Sequence, residues 1–225
     1  MIKITPKAFF FDFDGVICDT EKLHMSAIQK VLSEESIFFD ENYFFSNLYG
    51  QDDKSVFKQL FHCHKQKLTA QRLENILTRK NSLYQKLIET PHLFYPGVQN
   101  LINRLTTNNI PLAIVSCARS IEIRNCLKKE DLLTNFKFIV GSDNVTTCKP
   151  HPEGYQKAYT LMTKHVLGLP LEDCWVLEDS PTGVKAAKAA GLNTIAITNT
   201  TTAENLHAAD HIVMNYSDIA LSLKP

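Results

Sequence analysis

The stretch Ala8-Phe9-Phe10-Phe11-Asp12-Phe13-Asp14-Gly15-Val16 decides how this chain reads. A short apolar run is followed at once by two acids one residue apart. A run of this kind, ended by charge, fits a strand buried on both faces. It is too short for a signal sequence or a membrane span. Side-chain directions alternate along a strand, so extended geometry predicts Asp12 and Asp14 on the same side. Carboxylates that close repel each other unless a cation or a shared proton intervenes. The plain alternative, two solvated loop aspartates, sits poorly at the end of so apolar a strand.

Outward from this stretch, five further apolar runs read as strands: Pro111 to Ser116, Phe136 to Gly141, Cys174 to Leu177, Asn193 to Ile197 and the weaker His211 to Met214. Helical patterns separate most of them, over Val98 to Thr107, Ser120 to Lys129, Glu153 to Leu167 and Pro181 to Ala190. Alternation of strand and helix predicts an α/β fold, a doubly wound, Rossmann-like parallel sheet covered on both faces. Ser180, Pro181 and Gly191 punctuate one helix as N-cap, first helical residue and C-terminal stop.

Residues 21–94 break the alternation. Leu23, Ala27, Ile28, Val31 and Leu32 recur at helical spacing, as do Val56, Leu60 and Phe61, and then Leu73, Ile76, Leu77, Tyr84, Leu87 and Ile88. So long a segment exceeds a connection. We expect a helical cap at 21–94 inserted into an α/β core made of 1–20 and 95–225, with Tyr95-Pro96-Gly97 at the return.

The strand ends carry the polar residues. Ser116 follows Leu112-Ala113-Ile114-Val115, where a turn or cap serine is the ordinary reading. Glu178 and Asp179 follow Trp175-Val176-Leu177, where acids at a helix N-terminus would be unremarked. Lys149 stands in Cys148-Lys149-Pro150-His151-Pro152, whose prolines stiffen the loop around what is by default a surface lysine. Together they are more specific than apart, because open α/β sheets bind ligands beyond the carboxyl ends of their strands. Carboxylates without histidine or thiolate partners suit a hard cation such as magnesium. A lysine and a serine suit a phosphoryl group.

Composition narrows the partners. The 225 residues are 44% hydrophobic and 21% charged, enough apolar chain for a sizeable core. Lys and Arg number 24 and so do Asp and Glu, giving no net charge. A bulk electrostatic hold on nucleic acid or an anionic membrane needs a basic excess, so we expect neither partner. The six cysteines, at 18, 63, 117, 126, 148 and 174, form no Cys-x-x-Cys pair, and a chain this long does not need disulfides. We expect reduced thiols, a cytoplasmic location and a monomer.

Asp12-Phe13-Asp14-Gly15-Val16, Ser116, Lys149 and Glu178-Asp179 resemble, in order, the four motifs of the haloacid dehalogenase-like hydrolase superfamily. The spacing is similar to that of the subgroup with a helical cap after the first motif, which includes β-phosphoglucomutase and many small phosphatases. The resemblance implies an aspartyl-phosphate route. Asp12 would be the nucleophile, Asp14 the acid for the leaving alcohol and then the base for water, and Ser116 and Lys149 the phosphoryl-binding pair. A magnesium ion (Mg2+) would be held by Asp12 and Asp179 through side chains, by Asp14 through its backbone carbonyl, and by Glu178 directly or through water. Asp19 and Thr20 match the end of the first motif and would be structural. A free aspartate is a poor acid at neutral pH, so the site must raise its pKa or supply its proton.

In the cap, His24, Gly50 and Lys80 resemble substrate-binding positions of β-phosphoglucomutase. Lys80 could equally snorkel past the core and His24 lie on the surface. The resemblance also has a departure: Asp53 stands where the mutase carries an arginine for a second phosphate, and an acid there would repel it. We therefore expect a magnesium-dependent phosphatase acting on a small phosphorylated metabolite, perhaps a sugar phosphate. A sugar phosphomutase is the alternative, and a non-enzymatic metal or phosphate binder a third, disfavoured because a binder need not keep both nucleophile and acid.

Overall fold

A computed structural model describes residues 1–49, 51–87 and 94–222. The chain divides into two compact units, one of Met1–Asp19 with Phe94–Pro225 and the other of Thr20–Leu93.

In the first unit, β1 (Ile2–Ile4) is followed by β2 (Ala8–Phe11). After the second unit, α5 (Val98–Thr107), β3 (Leu112–Val115), α6 (Ser120–Lys129), β4 (Phe136–Val140), α7 (Glu153–Met162), β5 (Cys174–Glu178), α8 (Pro181–Ala189), β6 (Asn193–Ile197), β7 (His211–Val213) and β8 (Ile219–Leu221) complete it. The six-stranded sheet is parallel throughout, in the order β4-β3-β2-β5-β6-β7. The order reverses at β2: the chain builds outward to β3 and β4, then returns to lay β5 on the other side. The crevice between β2 and β5 is thus the switch point at which such sheets bind ligands.

The apolar run at the start of the chain is central because it can be buried on both faces. Phe9, Phe10 and Phe11 are fully buried. Phe10 packs in a cluster with Val115, Tyr155, Met162 and Val176, while the tilted rings of Phe9 and Phe11 meet at 4.8 Å. Each such ring contributes about 1.5–3 kcal/mol of burial.

Several details differ from expectation. Helix α7 stops at Met162 rather than Leu167: Met162 is its last buried residue, Leu167 is fully exposed, and Gly168 turns the chain at φ +65°. Strand β2 ends at Phe11, so the alternation argument does not reach Asp14. A tight loop begins there instead, with Ile17 and Cys18 N–H donating to the Phe13 carbonyl and Gly15 at φ +79°. Strands β1 and β8 pair only with each other, as a separate two-stranded parallel sheet.

Where the chain leaves and re-enters this unit, it is stitched together. Cys18 and Phe94 form an antiparallel bridge, Tyr95 N–H donates to the Ile17 carbonyl, and the Tyr95 phenol is hydrogen-bonded to Asp19. Burial, then the charge of Asp19, push the Tyr95 phenol up.

The second unit is helical: α1 (Glu21–Ser33), α2 (Glu41–Asn47), α3 (Asp53–Cys63) and α4 (Ala70–Leu87). Asp40 and Asp52 cap α2 and α3 through their side chains. Met25, Ile28, Leu32, Phe57, Leu60 and Ile76 fill its core. Glu35, beyond the end of α1, takes Arg72 at 2.6 Å and Arg79 at 2.5 Å from α4.

Candidate active site

Strands β2 and β5 end side by side, with Phe11 in register with Leu177 and Asp12 N–H donating to the Leu177 carbonyl at 3.0 Å. That pairing carries Asp12 to the end of Glu178 and Asp179. Carboxylate oxygens of these three buried acids all lie within 4.8 Å of one another. Lys149 reaches in from the loop before α7, its Nζ 2.7 Å from Asp12 Oδ1 and 2.6 Å from Glu178 Oε1. Residues 12, 149, 178 and 179 are thus brought together from three separate stretches of chain.

Charge sets the behaviour of the cluster. Burial, then the Glu178 carboxylate, push the Asp12 carboxyl up, against the lowering effect of Lys149. Burial would lower the Lys149 ammonium, but Asp12 and Glu178 outweigh it and hold the lysine well above its ordinary value. With all three carboxylates ionised against one ammonium, two negative charges would remain, the charge that one divalent cation offsets. All the donors are hard oxygens, with no thiolate or imidazole among them, so the cluster fits such an ion.

The carboxylate of Asp14 points its hydrogen bond elsewhere. Ser116 Oγ donates to Asp14 Oδ2 at 3.3 Å and accepts from Ala118 N–H at 3.0 Å. Ser116 itself continues the β3–β4 pairing, its N–H donating to the Val140 carbonyl.

Other residues, not singled out from the sequence, fix this arrangement. The Tyr155 phenol donates to Glu178 Oε1 at 2.6 Å, and its ring lies 5.3 Å beneath the Lys149 ammonium. Burial, then the Glu178 charge, push the Tyr155 phenol up. Thr200 Oγ1 donates to Asp179 Oδ2 at 2.5 Å. Gly183, in the first turn of α8, leaves room for Glu178, because a Cβ there would sit 2.0 Å from Oε2. Asn199 holds the Gly15 carbonyl at 2.7 Å, and the Tyr216 phenol donates to the Val16 carbonyl at 2.5 Å. A tyrosine six residues after Lys149 and a glycine just after Ser180-Pro181-Thr182 were the available signals. Neither names its partner until the fold does.

In the second unit Lys80 is 0% exposed, so it does not snorkel. Its ammonium lies 2.7 Å from Asp53 Oδ2, 2.9 Å from His24 Nδ1 and 4.8 Å from the Tyr84 ring centre. His24 stacks on Tyr84 at 3.9 Å. The expected repulsion from Asp53 is therefore weaker than its formal charge implies. Gly50 lies outside the described residues. Among the described residues, no helix is long and apolar enough to cross a membrane.

The chain is similar to known proteins over most of its length. The β-phosphoglucomutase of Bacillus subtilis (strain 168) is 28% identical over 221 residues, spanning 96% of this chain and 93% of its own length. The phosphorylated carbohydrates phosphatase of Thermotoga maritima is 29% identical over 189 residues, spanning 84% of this chain and 83% of its own. The crystal structure of β-phosphoglucomutase from Clostridium difficile superposes with a TM-score of 0.82 at 25% identity, covering 95% of this chain and 93% of that one. The sequence profile of the haloacid dehalogenase-like hydrolases matches residues 9–197. The chain therefore belongs to the haloacid dehalogenase-like hydrolase family, as an enzyme of phosphoryl transfer.

Proposed function

We propose that this enzyme is a magnesium-dependent phosphatase of a small phosphomonoester, working through an aspartyl-phosphate on Asp12. The observation that carries the proposal is the buried convergence of Asp12, Glu178 and Asp179 with Lys149 at the switch point of the sheet.

In this scheme an oxygen of Asp12 attacks phosphorus, and Asp14 gives its proton to the departing alcohol. Asp14 then takes a proton from water, which attacks the aspartyl-phosphate and releases inorganic phosphate and free Asp12. Ser116 and Lys149 bind the phosphoryl oxygens and offset their charge. Magnesium, when bound, would offset the repulsion between Asp12 and the phosphate and favour the ionised carboxylate. Asp12 and Asp179 would hold it by side chains and Asp14 by its backbone carbonyl. Glu178 already accepts from Lys149, Tyr155, Asp179 N–H and Ser180, which favours contact with the ion through water. His24, Gly50 and Lys80 are assigned to substrate selection. A monomer working in the cytoplasm is part of this reading.

A sugar phosphomutase is the second reading. The full-length similarity to β-phosphoglucomutase favours it, and so does the pairing of Asp53 with Lys80, which removes part of the objection to a second phosphate.

A panel of phosphomonoesters at fixed magnesium tests the proposal. Activity should vanish on chelation and return with magnesium. Asp12→Asn should abolish turnover in a protein that stays folded, and full activity in that variant would exclude the covalent route. With β-glucose 1-phosphate and a bisphosphate primer, free phosphate supports the phosphatase and glucose 6-phosphate the mutase.

A further inference from the structure

Two cysteines flank the residues assigned to phosphoryl binding. Cys117 directly follows Ser116, and Cys148 directly precedes Lys149. Although 31 positions apart in sequence, Cys148 lies near enough to be the largest influence raising the Cys117 thiol. Both line one small pocket with Ser116, Lys149, His151 and Tyr155, and both are partly exposed. A second thiol pair, Cys18 and Cys126, has its sulfurs 3.3 Å apart but is sealed in the core, at 0% and 4% exposure. The two pairs differ in access.

We propose that Cys117 and Cys148 form a reversible disulfide, closed by a hydroperoxide, that switches off the phosphoryl-binding site. Cys148, then burial, push the Cys117 thiol up, and we assign the first attack to the Cys148 sulfur. The Cys148 sulfur, giving up its proton, attacks one peroxide oxygen, the O–O bond breaks, and a sulfenic acid and one water result. The Cys117 sulfur then displaces the sulfenic hydroxyl, forming the S–S bond and a second water. Two thiols are oxidised by two electrons and one peroxide is reduced to two waters. A disulfide requires its sulfurs to approach to about 2.05 Å, well inside hydrogen-bonding distance. That approach pulls together the loop after β3 and the loop before α7, and with them the immediate neighbours Ser116 and Lys149. The effect on rate rests on the phosphoryl-transfer reading; the disulfide itself does not.

The test treats the reduced protein with hydrogen peroxide, alkylates it, and maps its peptides by mass spectrometry beside hydrolysis of p-nitrophenyl phosphate. The expected result is a link between the Cys117 and Cys148 peptides, formed before any Cys18–Cys126 link. The rate should fall on the order of tenfold or more, as displacement of binding groups by a fraction of an ångström allows, and return with dithiothreitol. Cys117→Ser and Cys148→Ser should each keep their rate through the same treatment. Both thiols remaining alkylatable, or only Cys18–Cys126 linking, would overturn the proposal, as would a 117–148 link that leaves the rate unchanged. Should the reduced protein hydrolyse no phosphomonoester, the functional reading fails separately, and the peptide map still decides whether the disulfide forms.

Discussion

The phenol of Tyr155 and the ammonium of Lys149 meet on the same oxygen, Oε1 of Glu178, each at 2.6 Å. Glu178 is fully buried, so these donors keep its carboxylate compensated. Tyr155→Phe keeps the ring beneath Lys149 and removes only the hydroxyl. We expect a loss of about 2 kcal/mol in stability, the size of a hydrogen bond to a charged group. We also expect turnover to fall on the order of tenfold, as for a partner that orients a site residue. Urea unfolding and steady-state kinetics with p-nitrophenyl phosphate check the two parts.

Gly183→Ala puts a methyl group 2.0 Å from Glu178 Oε2. Alanine would favour the α8 helix by about 1 kcal/mol if nothing stood in its way. Here the clash is with a buried carboxylate, so we expect net destabilisation of about 1–3 kcal/mol and a lower rate. A melting temperature at or above the parent's would show that Glu178 can move aside.

Asp53→Asn withdraws the carboxylate from Lys80, which has no exposure, while Asp53 itself is 28% exposed. Removing one partner of a fully buried pair costs about 3–5 kcal/mol and an exposed pair about 0–1, so about 2 kcal/mol is expected. Lys80→Met, which removes the ammonium in a side chain of similar length, should cost less than Asp53→Asn. Chemical denaturation of the two variants in parallel gives the comparison, and the reverse order would mean the buried charge is held by something other than Asp53.

Glu35 provides a pH signature in the second unit. Burial alone would raise its carboxyl, but the hydrogen bonds and charges of Arg72 and Arg79 outweigh that and hold it below the ordinary range. A depressed folded pKa contributes stability that is present above the unfolded value, near ~4.3, and lost as pH falls through the folded one. Glu35→Gln should therefore flatten the decline of stability below that range while lowering stability at neutral pH. Thermal melts across pH 3–7, about the span of the carboxylate titration, check this; parallel curves for the two proteins would refute it.

The sheet was legible because its strands are buried on both faces. Phe9 to Phe11, Leu112 to Val115 and Asn193 to Ile197 read as apolar runs whatever their neighbours. Short elements left no such trace. Helix α2 buries only Phe44, so no periodicity marks it, and the three-residue strands β1 and β8 acquire meaning only from each other. The convergence of Asp12, Lys149, Glu178 and Asp179 could be anticipated from their places at strand ends and loops of one edge. Tyr155 and Thr200 could not, because each acts on a carboxylate remote from it in sequence, and Gly183 meets nearby Glu178 only through the turn from β5 into α8. For Lys80 the spacing offers a snorkelling or a substrate-binding lysine, and nothing in it announces that Asp53 and His24 lie against its charge.

The bridge between Cys18 and Phe94 has an architectural consequence. The chain entering and leaving the insertion is thus fastened together within the unit that holds the sheet. Residues 20–93 could be exchanged for another segment whose ends lie one β-bridge apart, leaving the acids and the lysine untouched. Recognition could then diversify by replacement of a cassette while the chemical machinery stayed as it is.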